Sequence, residues 1–362
     1  MAVYLVLLVF IALIANKINQ IDEPGLYESR HGITFTDHTP DVKKLFIFAA
    51  IVLLCIAGLR YNVGADYWAY YGSVSARASV LSEKILEYDE PGLSFLFWIA
   101  TLIKPSDPRA LGMFIAAAVT VGTMLYVIYK NTDELALSLV FYVILVWASC
   151  FNGVRQSLAA GFLFCGLPYL KERKFVRFLI FVLIASLFHK SALIMIALYF
   201  VAGRRASVGN MFIILIGSVV LLYSYDFVFQ LLGMVMEDVD QTEYASRSVN
   251  ILRTMVACAP ALLFWISGLY QDEDDPEIAF YLNITLVHAA LAIAAAGSSY
   301  FARVSMYTDP FMALAIPKLG RKFNEKTESK IMPFLVILYT LFFFYGEYKD
   351  ETERVFQFIW QR

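Results

Sequence analysis

Stretches without a single Asp, Glu, Lys or Arg recur along almost the whole chain. They cover 1–16, 45–59, 91–103, 110–129, 135–154, 156–170, 178–188, 191–203, 206–225, 254–271, 278–302 and 331–346, and 304–317 is interrupted only by Asp309. A helix rises about 1.5 Å per residue, so about 20 apolar residues span a hydrocarbon core of about 30 Å. Several stretches meet that length outright, and others reach it with snorkelling ends. Unpaired backbone is not tolerated in lipid, and nothing here alternates like a barrel strand, so helices are expected. Composition agrees: 60% of the 362 residues are hydrophobic and only 17% are charged, against about 25% in a typical soluble domain. That excludes a soluble enzyme, a disordered chain and a secreted disulfide scaffold. A formal charge of −2 argues against a nucleic-acid partner. The expected fold is all-α: a single polytopic transmembrane domain over 1–362, of about 12 transmembrane helices.

Basic loops set the topology. Lys171, Arg173, Lys174 and Arg177 form one, Arg204–Arg205 another, and Lys318 to Lys330 a third. Two candidate spans separate the first two loops and four separate the second two. All three therefore share a side, and the excess of Lys and Arg makes that side cytoplasmic. The expected cytoplasmic loops are 16–44, 171–177, 204–205, 271–277 and 318–330. The acidic run Asp272-Glu273-Asp274-Asp275-Pro276-Glu277 reads as a solvated turn. Counting forward and backward agrees only if 91–103 does not cross. Its 13 residues make a helix of about 20 Å, so it reads as a re-entrant or half helix. Loops 60–90 and 226–253 then lie outside, as do both termini. The closing segment with Val355, Phe356, Phe358, Ile359 and Trp360 reads as an amphipathic surface piece.

Four polar motifs fall on the outer side. The first runs Arg60-Tyr61-Asn62-Val63-Gly64-Ala65-Asp66-Tyr67-Trp68-Ala69-Tyr70-Tyr71. It offers a guanidinium for phosphate, a carboxylate for a proton, and aromatic rings that stack on sugars or line a membrane interface. The second, Phe151-Asn152-Gly153-Val154-Arg155-Gln156-Ser157, breaks an uncharged run with a turn-forming Asn-Gly. A hairpin needs no arginine, and one inside a membrane costs about 2.5–3.5 kcal/mol on insertion scales, so Arg155 is expected to face water or an anion. The third is His189-Lys190-Ser191, with an imidazole suited to general acid or base work. The fourth is Arg303 with Tyr307, one turn apart and so on one face if helical; Gly297-Ser298-Ser299-Tyr300 leads in and Asp309-Pro310 follows. An intramembrane Asp309 is itself a functional candidate. Three arginines at outward helix ends suit a strongly anionic group such as a diphosphate. Arg supplies charge neutralisation itself, so no metal and no cofactor are expected. The four cysteines carry no CxxC pairing and read as core residues.

In these motifs the chain resembles the EpsG family of membrane polysaccharide polymerases, relatives of the Wzy O-antigen polymerases. The matching pieces are Arg60…Val63-Gly64-Ala65-Asp66-Tyr67…Tyr70, then Asn152-Gly153-Val154-Arg155-Gln156-Ser157-Leu158-Ala159, then His189-Lys190-Ser191-Ala192-Leu193, with Arg303…Tyr307 a weaker fourth. Their order and spacing agree over about residues 45 to 320. Ala65 departs from the Thr or Ser expected before the aspartate.

The resemblance implies a glycosyltransferase of the bacterial inner membrane, acting at the periplasmic face on undecaprenyl-diphosphate-linked oligosaccharide repeats. The growing chain is the donor, a sugar hydroxyl of the next repeat attacks, and undecaprenyl diphosphate leaves. Partners are the lipid-linked oligosaccharide, the bilayer and a candidate chain-length regulator. Arg155, Arg303 and Arg60 are the expected diphosphate ligands. His189 and Asp66 compete as the base. Tyr67, Tyr70, Tyr307, Asn152 and Gln156 are expected at the sugars. A lipid-linked oligosaccharide flippase is the alternative, since it also needs a cationic cavity; it would carry repeated halves and charges to both faces. A multi-span acyltransferase would use His189 but leaves the arginines unexplained.

Overall fold

The computed structural model describes residues 2–29, 32–84, 90–223, 251–271, 275–295, 303–351 and 356–361. The outer loop expected over 226–253 falls almost wholly outside them, as do Asp272–Asp274, the lead-in 297–300 and Val355. The described chain is overwhelmingly helical, as its apolar runs predict.

The chain begins with α1 (Ala2–Ile21). A small hairpin follows, β1 (Gly25–Glu28) paired antiparallel with β2 (Thr34–Asp37). Then come α2 (Pro40–Gly58), the two-residue β3 (Arg60–Tyr61), α3 (Tyr67–Lys84), α4 (Pro91–Ile103) and α5 (Arg109–Asn131). Helix α6 (Leu135–Tyr142) continues through a π turn at Val143–Trp147 and a 3-10 turn at Ser149–Phe151. Next are α7 (Val154–Cys165), α8 (Leu167–Lys171) and α9 (Phe175–Ser186). A 3-10 stretch, Lys190–Met195, leads into α10 (Ile196–Ala202). The remainder is α11 (Val208–Tyr223), α12 (Ile251–Ile266), α13 (Pro276–Ala295), α14 (Asp309–Thr327), α15 (Ile331–Glu351) and β4 (Gln357–Phe358).

Three of the described helices, α1, α5 and α13, are long and apolar enough to cross a membrane unaided. The others are shorter or carry charges at their ends, so the sequence-level count of about twelve full spans is coarser than the helices themselves. Large apolar side chains point outward along them, including Val6, Leu13, Leu262, Ile266 and Leu341. That is how a helix bundle presents itself to lipid.

The basic and acidic loops meet at one end. Lys171 pairs with Glu277, and Lys318 bridges Asp133 (3.1 Å) and Glu277 (3.0 Å). Arg321 reaches Glu134 at 2.8 Å. Lys174 Nζ donates to the Gly32 carbonyl at 2.8 Å, and Asn283 donates to the Arg204 carbonyl at 2.7 Å.

Two segments differ from the sequence reading. The C-terminal piece does not simply lie on the surface: Gln357–Phe358 pairs antiparallel with Arg60–Tyr61. Phe356 is buried there, 5.6 Å from the Tyr4 ring. Its aromatic alternation suits a strand, and β3 supplies the unpaired edge it needs. The expected helical face joining Arg303 and Tyr307 is also absent. The helix holds only through Ser305 and the chain turns at 306–308 before α14 starts. Pro310, in the first turn of α14, accounts for the restart.

Candidate functional site

The four polar motifs are tied to one another by direct contacts at the end opposite the charged loops. The loop after α2 locks onto the turn before α7. Gly153 N–H donates to Asp66 Oδ2 at 3.0 Å, and Ala65 N–H donates to Asn152 Oδ1 at 2.6 Å. Two glycines permit this approach. Gly64 has φ +99°, and a Cβ there would stand 2.5 Å from the Phe151 carbonyl oxygen. Gly153 has φ +58° and starts α7, in the left-handed region that only glycine enters cheaply.

Behind that turn lies a polar network. The His189 ring meets Gln156 Nε2 through its Nε2 at 3.2 Å and Glu90 Oε1 through its Nδ1 at 2.7 Å. Lys190 N–H donates to Glu90 Oε1 at 3.0 Å, and Arg155 Nη1 donates to Glu90 Oε2. Tyr70 hydrogen-bonds Arg155 in turn. Glu90 itself is only 7% exposed. His189, Arg155 and the Lys190 N–H all turn toward its two oxygens. The carboxylate is therefore ionised, with three donors around it.

The depth of this network follows from helix rise. His189 stands 14 residues beyond Phe175, about 21 Å along. That is short of the ~30 Å hydrocarbon core, so the network is recessed from that end of the bundle. The fourth motif closes against it, with Ser191 Oγ and Tyr307 Oη 2.7 Å apart.

On the other side of the Asn152–Gly153 turn is a cavity of about 490 Å³. Its rim carries Asp66, Asn152, Arg253 and Arg303; deeper come His288 and Asp309. His288 Nδ1 lies 2.9 Å from Thr308 Oγ1 and 3.7 Å from Asp309 Oδ1. Its apolar floor includes Leu145, Ile316, Tyr339, Phe342 and Phe343. Asp309 precedes Lys318, which is held among the charged loops, by nine residues. That is about 14 Å of helix, so this carboxylate sits near mid-membrane. The π turn of α6 places Ile144 and Leu145 on the same wall. Such turns add one residue per turn and reshape a helix surface where ligands sit.

The floor has a bolt the sequence does not advertise. Pro260 lies inside α12 and has no N–H for the carbonyl four residues back. That carbonyl belongs to Val256, and Tyr339 Oη of α15 donates to it at 3.0 Å.

The expected site residues thus fall into three groups. Asp66, Asn152 and Arg303 line the cavity. Arg155, Gln156, His189 and Tyr70 form the network behind it, and neither Arg155 nor His189 lines the cavity. Arg60, Tyr67 and Tyr307 form the third group: all three are buried and none lines the cavity. Arg60 Nε donates to the Val63 carbonyl at 3.4 Å, Nη1 donates to the Ala57 carbonyl, and the guanidinium stacks 4.6 Å from the Phe151 ring centroid. It braces the interlocked loops rather than facing the cavity. Tyr67 stacks on Tyr71 at 5.3 Å, and Tyr307 binds Ser191. Tyr67 is thus committed to ring packing, as an interfacial aromatic cluster would be. Glu90, Arg253, His288 and Asp309 complete the two groups. Glu90 was legible only as the acid preceding Pro91, and His288 only as a lone polar residue in an apolar run.

The model of the EpsG family matches residues 43–360. No curated protein matches the chain, and no solved structure does.

Proposed function

The chain belongs to the EpsG family of membrane polysaccharide-biosynthesis proteins, and on that premise we propose that it is a glycosyltransferase polymerising undecaprenyl-diphosphate-linked oligosaccharide repeats. The observation that carries this reading is the two-storey cavity, with arginines and a carboxylate at its rim and an apolar floor beneath. Its volume of about 490 Å³ suits a small-molecule site, typically about 300–1,000 Å³.

Arg303 and Arg253 hold the diphosphate of the growing chain, whose charge increases as it departs. Preorganised guanidinium groups in a water-poor chamber lower that barrier. Asp66 is the base. It lines the cavity, and the Gly153 N–H fixes one of its oxygens. A hydroxyl oxygen of the incoming repeat attacks the anomeric carbon. The bond from that carbon to the diphosphate breaks, the hydroxyl proton passes to Asp66, and undecaprenyl diphosphate leaves. His189 yields the base role to Asp66 because it lies behind the turn. The tail of the carrier lies on Phe342, Phe343 and Ile316. The cavity end faces the periplasm of a bacterial inner membrane and the charged-loop end faces the cytoplasm.

Purified protein mixed with a defined diphosphate-lipid repeat is expected to give a ladder of products. Asp66→Asn and the Arg253→Ala/Arg303→Ala double variant are each expected to stop at one repeat. Movement of the lipid-linked repeat across vesicles without any ladder would replace this reading with the flippase.

A further inference from the structure

Glu90 belongs to none of the four sequence motifs, yet its carboxylate contacts two of them. Its two oxygens face three donors: Arg155 Nη1, His189 Nδ1 at 2.7 Å, and the Lys190 N–H at 3.0 Å. An ionised carboxylate only accepts. His189 Nδ1 must then carry a hydrogen whatever the charge on the ring, and proton exchange is confined to Nε2. That atom faces Gln156, 3.2 Å away, whose amide can either donate or accept by flipping. Gln156 stands in the first turn of α7, three residues past Gly153, whose N–H holds Asp66. Arg155 in the same turn is held by the other oxygen of Glu90. Two adjacent residues of that turn are therefore anchored on one buried carboxylate, one directly and one through the imidazole. The Glu90–Arg155 pair is neutral as a unit, so it can be recessed in the membrane at little net charge.

We propose that Glu90 is a positioning residue: by fixing the hydrogen of His189 on Nδ1 and clamping Arg155, it holds the first turn of α7 so that the Gly153 N–H presents Asp66 to the cavity. This rests on the polymerase reading for its activity arm only. A misplacement of about 1 Å remote from the chemistry costs about a hundredfold in rate, and that is the expected loss of kcat in Glu90→Ala, with KM for the lipid-linked repeat changed less than about threefold, because Arg253 and Arg303 are untouched.

The test combines that kinetic split with nitrogen NMR of ¹⁵N-histidine-labelled protein in lipid nanodiscs, the His189 signals being assigned by their loss in His189→Gln. The wild type is expected to show hydrogen on Nδ1. Glu90→Ala is expected to gain the Nε2–H tautomer, the tautomer being set by the bond the other nitrogen makes. Glu90→Gln keeps an acceptor for His189 but turns an amide N–H₂ against Arg155. It is expected to retain the Nδ1–H signal and lose kcat, and adding Arg155→Met is expected to restore part of it. Should Glu90→Ala not fold, Glu90→Gln and its double variant decide. An unchanged tautomer in Glu90→Ala, or a double variant more impaired than Glu90→Gln, overturns the proposal. A wild type that makes no ladder defeats the polymerase reading alone, since the tautomer still judges Glu90.

Discussion

At the scale of single residues, the site is governed by which polar atoms are already committed. Arg155 was the most conspicuous arginine of the sequence, because it breaks an otherwise uncharged run. Its guanidinium is nevertheless paired with Glu90, and a paired cation grips a second anion less strongly. Arg303 and Arg253 line the cavity, and the proposed reading gives the anion to them. Gly64 is constrained from two directions, by its φ of +99° and by the Phe151 carbonyl at 2.5 Å from any added Cβ. Backbone strain of this kind costs about 1–3 kcal/mol. Gly64→Ala is expected to destabilise the protein by at least that much and to halt chain extension, as read by denaturation midpoint and glycan length; a fully active variant would show that the loop can move without harm.

At the scale of elements, breaks in the helices matter more than the helices. The π turn of α6, the 3-10 stretch after His189 and the turn at 306–308 all occur where the polar motifs meet. A continuous helix would carry these side chains round its axis instead of presenting them to a common point. Pro260 is the clearest case, since it leaves a carbonyl to be satisfied by Tyr339. A buried acceptor left without a donor costs about 1–3 kcal/mol. Tyr339→Phe is expected to cost that amount in the wild type and much less in a Pro260→Ala background, where an intrahelical N–H serves Val256. Equal costs in both backgrounds would mean that the two residues do not share the carbonyl, the additivity expected of independent sites. The paired strands β3 and β4 make a similar point. Removing 356–361 strips the partner from Arg60–Tyr61 and is expected to lower the melting temperature and loosen the loop that carries Asp66.

At the scale of the whole molecule, the chain separates its charges by purpose. One end is stitched by ion pairs among Lys171, Glu277, Lys318, Asp133, Glu134 and Arg321. The other end carries the recessed network and the cavity. Helix α4 belongs to that second end. Glu90 before it and Arg109 after it both sit near the first turn of α3, through Arg155 to Tyr70 and by stacking of Arg109 on Tyr71 at 5.2 Å. Both ends of α4 thus reach the same part of α3. In oriented membrane vesicles, a cysteine placed at Ser106 is expected to react with an impermeant maleimide from the periplasmic side, and one placed at Glu328 from the cytoplasmic side. The reverse pattern would invert the proposed orientation.

The apolar runs by themselves determined an all-helical chain in a membrane, because only helices and closed barrels satisfy a backbone in lipid and these runs do not alternate like barrel strands. The four motifs, read in order, also picked out most of the residues that meet at the cavity end. Local patterning could reach no further. Whether Arg155 faces an anion or a carboxylate depends on Glu90, 65 residues away in the chain. Whether Tyr307 follows Arg303 depends on where the helix breaks, and the closing segment becomes a strand only because Arg60–Tyr61 offers it an edge. Pairing between distant segments decided each of these, since the energy of a buried charge or an open backbone edge lies in what finally stands next to it.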